Sequence, residues 1–416
     1  MELKRVVITG LGAVTPLGND VNRFWQGLVS GANGAGPITH FKAEAFRTHF
    51  ACEVKGFDPK DYFDRKEGRK MDRFTQYAMV AADECIADSG FEMGELSPHR
   101  VGVIWASGIG GFTTFENELI DYAANPANPR FNPFFITKVI PNMASGLISI
   151  KHGFMGINFT PVSACASGTN AIADAFNYIR LGKATAILSG GSEAAISQAA
   201  FGGFNAMRAL STRNDDPSKA CRPFDKDRDG FVMGEGAGAL FLEERAHALA
   251  RGAKIYAEVV GCGFAADAYH ISATHPEGLG AKWAMQDALD DAGLTVADVD
   301  YLNAHATSTP VGDISEAKAI ADLFAGQLDQ LHISATKSMT GHLLGGAGAI
   351  EGVASVLAIH HDQIPPTINL DNIDPELPEG LQLTPNKAVS KTVEVAMSNT
   401  FGFGGHNAIA LFKKHR

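Results

Sequence analysis

The residues of this chain with most to offer chemically are a cysteine, two histidines and a lysine. Cys165 lies in "VSACASGTN" (162–170), where a strand-like run gives way to alanine, serine and glycine. A sulfur at the opening of a helix meets unpaired N–H groups and the positive end of the dipole, which stabilise a thiolate. Small neighbours let a thioester reach the backbone, and the Cys165 amide could donate to its oxyanion. Taken alone, a buried structural cysteine is the simpler reading. Two further motifs reverse it. "NAHATSTPVGD" (303–313) puts His305 where a strand meets a loop, and "SATKSMTGHLLGGAGA" (334–349) puts Lys337 just past a strand with His342 five residues on. Such groups at strand ends of an α/β chain point to a site in the crevice outside the carboxyl ends of the strands. "NTFGFGGHN" (399–407) adds a glycine-rich turn able to bring a backbone N–H and the ring of Phe403 to a substrate.

The elements that must position these residues alternate between strand and helix from end to end, so the class is α/β. Apolar strand runs are predicted at 100–107, 157–164 and 184–191, and again at 299–306, 331–338 and 393–400. Both halves follow one plan, with a boundary near residue 254 that gives regions 1–254 and 255–416. No Pro- or Ser-rich linker separates them, so they share one core. The predicted helix at 165–182 is small on almost every face, which implies burial with close neighbours. The one at 278–293 sets Met285, Ala288, Leu289 and Ala292 at helical spacing opposite polar residues.

Composition narrows the field. The 416 residues are 45% hydrophobic and 19% charged, as a soluble folded protein requires, and the apolar runs are too short and broken to span a membrane. The start leads into a strand pattern with no signal-peptide regions. Five widely spaced cysteines with no C-x-x-C pair predict a reducing compartment, the cytoplasm, and neither a disulfide framework nor a zinc site. A formal net charge of -11 disfavours nucleic-acid binding. "GLGAVT" (10–15) imitates a dinucleotide loop but has Thr15 at the third glycine. "DKDRDGFVMGEG" (225–236) imitates a calcium loop but ends in Gly236, and reads as a bent, charged hairpin. His360 and His361, adjacent at the end of an apolar helix, point in different directions and make a poor metal pair.

The motifs together resemble the elongating β-ketoacyl-acyl carrier protein synthases, closest to the type II branch of bacterial fatty-acid synthesis. "VVITGLGAVTPLG", "ACASGTN", "NAHATSTPVGD", "TKSMTGHLLGGAGA", "PPTINLDN" and "NTFGFGGHN" carry the likeness nearly end to end. The resemblance implies a thiolase-like fold of two duplicated halves in α-β-α-β-α layers, a homodimer, and no organic cofactor or catalytic metal. It implies that Cys165 accepts an acyl chain from an acyl carrier protein. His305 and His342 would bind the malonyl carbonyl and promote decarboxylation, Lys337 would support that pair, and the Phe403 amide would complete the oxyanion hole. Thr307 and Thr309 resemble the hydroxyls that hold a pantetheine arm, and serve equally well as turn or N-cap residues. Ser272 stands where the family often has Thr, as does His406.

The same resemblance assigns Ile109 and Phe204 to the acyl pocket. It assigns Lys66, Arg69 and Lys70, with Arg130 and Arg208, to a carrier-protein docking patch. Spacing of three to four residues would align Lys66, Arg69 and Lys70 on one helix face. The second histidine in "TGHLLG" favours the elongating branch over initiating synthases, which resemble a Cys-His-Asn arrangement. His406 keeps a polyketide ketosynthase as the alternative. A thiolase would need a second active-site cysteine, for which only Cys262 is available, and a non-catalytic chain-length factor would lack Cys165.

Overall fold

The computed structural model describes residues 3–94 and 96–416. The first strand, β1 (Val6–Val14), is buried at every position. Such a strand must be covered on both faces and paired on both edges. It pairs antiparallel with β5 (Gly236–Glu244) on one side and β6 (Ala257–Ala266) on the other. Outward from β5 run β4 (Ala186–Glu193), β2 (Val101–Ala106) and β3 (Asn158–Phe159). Outward from β6 run β11 (His406–Lys413), β10 (Val395–Gly402), β7 (Tyr301–Asn303), β8 (His332–Ser334) and β9 (Gln382–Leu383). Five strands from β1 and five from β6 repeat one order of directions: two antiparallel pairings, then two parallel ones.

The helices complete the layers. Helices α3 (Ser167–Arg180) and α6 (Ala347–His361) pack against each other and against strands of both sets. On the outer side of the first set lie α1 (Arg73–Ser89) and α2 (Met143–His152); on that of the second lie α4 (Leu279–Ala292) and α5 (Pro310–Leu323). The small side chains of α3 have a steric cause. A Cβ on Gly168 would stand 2.6 Å from the Ala349 amide nitrogen, and one on Gly348 would stand 2.2 Å from Thr169 Oγ1. The two central helices therefore touch backbone to backbone at the N-terminal end that carries Cys165.

Most predicted elements form at their predicted places, but the runs 299–306 and 331–338 pair only at Tyr301–Asn303 and His332–Ser334, with Lys337–Thr340 a helical turn, and two further differences stand out. Of the run 157–164, only Asn158 and Phe159 pair as strand, because the chain must turn sharply before Cys165. Residues 225–236 are not a self-paired hairpin: Asp225 and Arg228 are buried, and Arg228 reaches Asp313 and Asp374. Among the described residues no helix is long and apolar enough to cross a membrane.

Candidate active site

Cys165 is buried at the base of a cavity of about 510 Å³. Ala164, just before it, has φ 52, a left-handed conformation that costs a non-glycine residue roughly 1–2 kcal/mol. Ser167 holds this turn, its hydroxyl donating to the Ala164 carbonyl at 2.6 Å and accepting from the Ser163 amide at 2.8 Å. The strained turn lifts Cys165 out of the line of the helix, two residues before its first turn. Gly402 lets β10 close over this turn, since a Cβ there would be 2.5 Å from the Ser163 carbonyl oxygen. Phe403 follows on the same segment and lines the cavity with Cys165, its amide placed to favour the thiolate.

The imidazoles arrive from two other strand ends. His342 Nε2 is 3.0 Å from Cys165 Sγ. The His305 and His342 ring centroids are 5.2 Å apart with the planes at 85°. Backbone pairing fixes His342: its amide donates to the Val232 carbonyl at 2.7 Å, and its carbonyl accepts from Gly234 at 2.9 Å. His305 is fixed by Glu316, whose carboxylate accepts from the His305 and Ala306 amides at 2.9 and 2.7 Å. Lys337 is buried and donates to Glu351.

The electrostatics follow from burial. Burial, then the Lys337 charge, holds both histidines well below the usual imidazole value, so both are neutral. Burial also pushes the Cys165 thiol up to about 12, while Lys337 and the Phe403 amide pull it down. Burial thus opposes the thiolate that the helix start favours, and Lys337 and the Phe403 amide act for it. Burial raises Glu316 to about 6 and Glu351 to about 7.

Residues 3–248 match the family "Beta-ketoacyl synthase, N-terminal domain", and residues 256–371 match "Beta-ketoacyl synthase, C-terminal domain". The chain belongs to the β-ketoacyl synthase family. It is 51% identical to a 3-oxoacyl-[acyl-carrier-protein] synthase 2 of Synechocystis sp., covering 100% of this chain and 99% of that protein. A β-ketoacyl synthase from Burkholderia phymatum superposes with a TM-score of 0.91 at 36% identity, over 99% of this chain and 100% of the other. A type II polyketide ketosynthase in complex with its acyl-carrier protein superposes with a TM-score of 0.92 at 31% identity, over 100% of both chains.

In this synthase the cavity brings together Cys165, His305, His342 and Phe403, and Lys337 faces it from behind through its charge on both rings. Ile109, Phe204, Ser272, Thr307 and Thr309 all line the same space. Thr307 and Thr309 share a hydroxyl contact of 3.1 Å. Arg208, at φ 56, lies on its rim, and Lys66, Arg69, Lys70 and Arg130 are exposed. The helical alignment expected for Lys66, Arg69 and Lys70 does not form, because that helix spans only Arg65–Gly68 and Arg69 caps it. Lys70 instead reaches over the Phe134 ring at 6.0 Å. Sequence reasoning missed the buried carboxylates Glu193, Glu316 and Glu351. The available signal was Glu316 on the helix that follows the His305 loop, about two turns into α5.

Proposed function

We propose that the chain is an elongating 3-oxoacyl-[acyl-carrier-protein] synthase of fatty-acid synthesis, with Cys165 as nucleophile and the two histidines as the decarboxylation pair. The observation that carries this is a buried thiol in contact with one of two neutral imidazoles inside a single apolar-walled cavity. Cys165 attacks the acyl thioester carbonyl, a C–S bond forms, and the carrier's pantetheine thiol leaves. His342 takes the thiol proton as the sulfur attacks and gives it to the departing pantetheine sulfur, which returns the imidazole to neutrality, and the Cys165 and Phe403 amides are the donors to the oxyanion. The malonyl thioester then loses carbon dioxide. Neutral His305 and His342 donate to the resulting enolate oxygen, and Lys337 keeps them unprotonated. The enolate carbon attacks the acyl-cysteine carbonyl, forming the new C–C bond and releasing the Cys165 sulfur.

The fatty-acid assignment is favoured over the polyketide one by 51% identity to a fatty-acid-type relative against 31% to a polyketide ketosynthase. Exposed Lys66, Arg69, Lys70, Arg130 and Arg208 suit an acidic carrier protein on a chain that is otherwise negative. A homodimer is supported by the open edge of β3 and by the exposed Phe115, Leu119, Ile120, Phe131 and Ile136 on the segment between β2 and β3. We read the chain as two halves, 1–254 and 255–416, on the strength of their repeated strand order. Five unpaired cysteines suit the cytoplasm. Incubation with acyl and malonyl carrier protein should yield β-ketoacyl carrier protein; carbon dioxide release without that product would overturn the assignment.

A further inference from the structure

The end of β4 carries a carboxylate that the condensation chemistry does not use. Glu193 is completely buried, and its two oxygens accept from four donors on two separate loops. Oε1 accepts from Ser107 Oγ at 2.9 Å and the Ile109 amide at 3.2 Å; Oε2 accepts from the Gly108 amide at 2.8 Å and the Gly345 amide at 3.0 Å. The first loop follows β2 and carries Ile109 into the cavity. The second follows His342. The loops lie so close that a Cβ on Gly345 would be 2.1 Å from the Gly108 nitrogen. Leu344, between His342 and the pinned Gly345, has φ 47 and lines the cavity in the same apolar cluster as Ile109. A conformation so disfavoured for leucine persists only where its surroundings impose it.

We propose that Glu193 is a positioning residue that clamps the Ile109 loop to the His342 loop, and so fixes the far wall against which acyl chains are measured. A carboxylate suits this place because all four partners are donors. An amide offers one acceptor oxygen and turns an N–H₂ toward N–H groups, so at least one of the Gly108, Ile109 and Gly345 amides loses its acceptor and the clamp loosens. A loosened wall yields to longer chains. Ser107 reinforces the first loop, since its hydroxyl also accepts from the Gly110 amide at 3.1 Å.

The inference rests on the proposed acyl-transfer function, and wild-type condensation in the same assay tests that function separately. Glu193→Gln is compared with wild type for kcat and KM over acyl carrier protein primers of increasing length, together with the melting temperature. A buried methylene is worth about fourfold in discrimination. In the variant this gradient between preferred and longer primers should flatten toward unity, with kcat reduced on the order of 100-fold by misplacement of the His342 loop. An unchanged length gradient under a uniform loss of rate would overturn the proposal. Should Glu193→Gln fail to fold, Ser107→Ala removes one donor and keeps the carboxylate. There a partial flattening supports the clamp and an unchanged gradient refutes it.

Discussion

His342 Nε2 lies 3.0 Å from the sulfur of Cys165 and its ring 5.2 Å from that of His305, so in the proposed mechanism the group that takes the nucleophile's proton also belongs to the pair that faces the malonyl carbonyl. One imidazole thus serves two half-reactions, and the sulfur can be deleted without removing the second. Cys165→Ala should abolish condensation and retain malonyl decarboxylation, since His305, His342 and Lys337 stay in place. Separate measurement of carbon dioxide and β-ketoacyl product checks this; condensation by the variant at the wild-type rate would refute Cys165 as nucleophile.

Lys337 adds to burial in keeping both rings neutral. Burial is the larger cause of their lowered pKa, and the ammonium is the next. In Lys337→Met the rings should protonate at higher pH, so the acid limb of decarboxylation moves up toward neutrality. Linkage gives a second expectation. In the folded wild type the rings stay neutral below the unfolded value of 6.5, where the unfolded chain takes up protons. Their contribution to stability is present above pH 6.5 and is lost as pH falls below it. The variant should lose less stability over that interval, beneath a general loss of about 3–5 kcal/mol from stranding buried Glu351. A pH–rate profile and pH-dependent denaturant melts measure both, and an acid limb unmoved in the variant would exclude the ammonium as its cause.

His40 behaves oppositely. Burial lowers its pKa, but contact with Glu235 at 2.9 Å and the neighbouring Glu53 more than offset this and raise it above the ordinary 6.5. Its stabilising charge is fully present below the unfolded value and fades as pH rises through the raised one. His40→Gln should therefore destabilise the protein more at pH 6 than at pH 9. Equal losses at both would mean that the pair contributes only packing.

Carrier-protein docking gives a prediction free of buried groups. Lys66 and Arg69 are exposed, and neither makes an ion pair among the described residues. Reversing both to Glu should raise KM for acyl carrier protein, mainly through slower association, with little change in melting temperature. Surface charges are screened over about 8 Å at physiological salt, so the defect should shrink as salt increases. An identical salt profile for variant and wild type would remove this segment from the docking surface.

The sequence made the reacting groups legible because cysteine, histidine and lysine at strand ends are few and lie in short motifs. The α/β order was legible because strands such as Val101–Ala106 and Ala186–Glu193 are apolar throughout. What stayed hidden depends on long-range contact. Nothing local to Glu193 tells that Gly345, far along the chain, donates to it. The thiol's raised pKa was equally out of reach, since it comes from burial by segments distant in sequence, whereas a helix N-terminus is local. The short helix at Arg65–Gly68 shows the converse: the spacing of Lys66, Arg69 and Lys70 fits a helix face, but a four-residue helix has no such face.

The last prediction concerns the length of the acyl chain. Ile109 is half-buried beside the cavity, in an apolar cluster with Phe201, Phe204, Phe231 and Leu344 that also contains Cys165. Its backbone is held to Glu193, so its side chain cannot retreat with the loop. Enlarging it to Phe places a ring in space that a growing chain would fill, or forces repacking at about 1–3 kcal/mol. Primers short enough to stop before residue 109 should react nearly as in wild type. Each methylene beyond it forfeits about 0.8 kcal/mol of burial, so rates should fall steeply with length. Decarboxylation of malonyl carrier protein should stay near the wild-type rate, because the substitution keeps the Glu193 contacts to the Ile109 and Gly345 amides. Rates for Ile109→Phe over a primer series, with melting temperatures, decide the matter. A loss equal at every length with lowered melting would make Ile109 a core residue only; a loss confined to long primers would make it the wall that measures them.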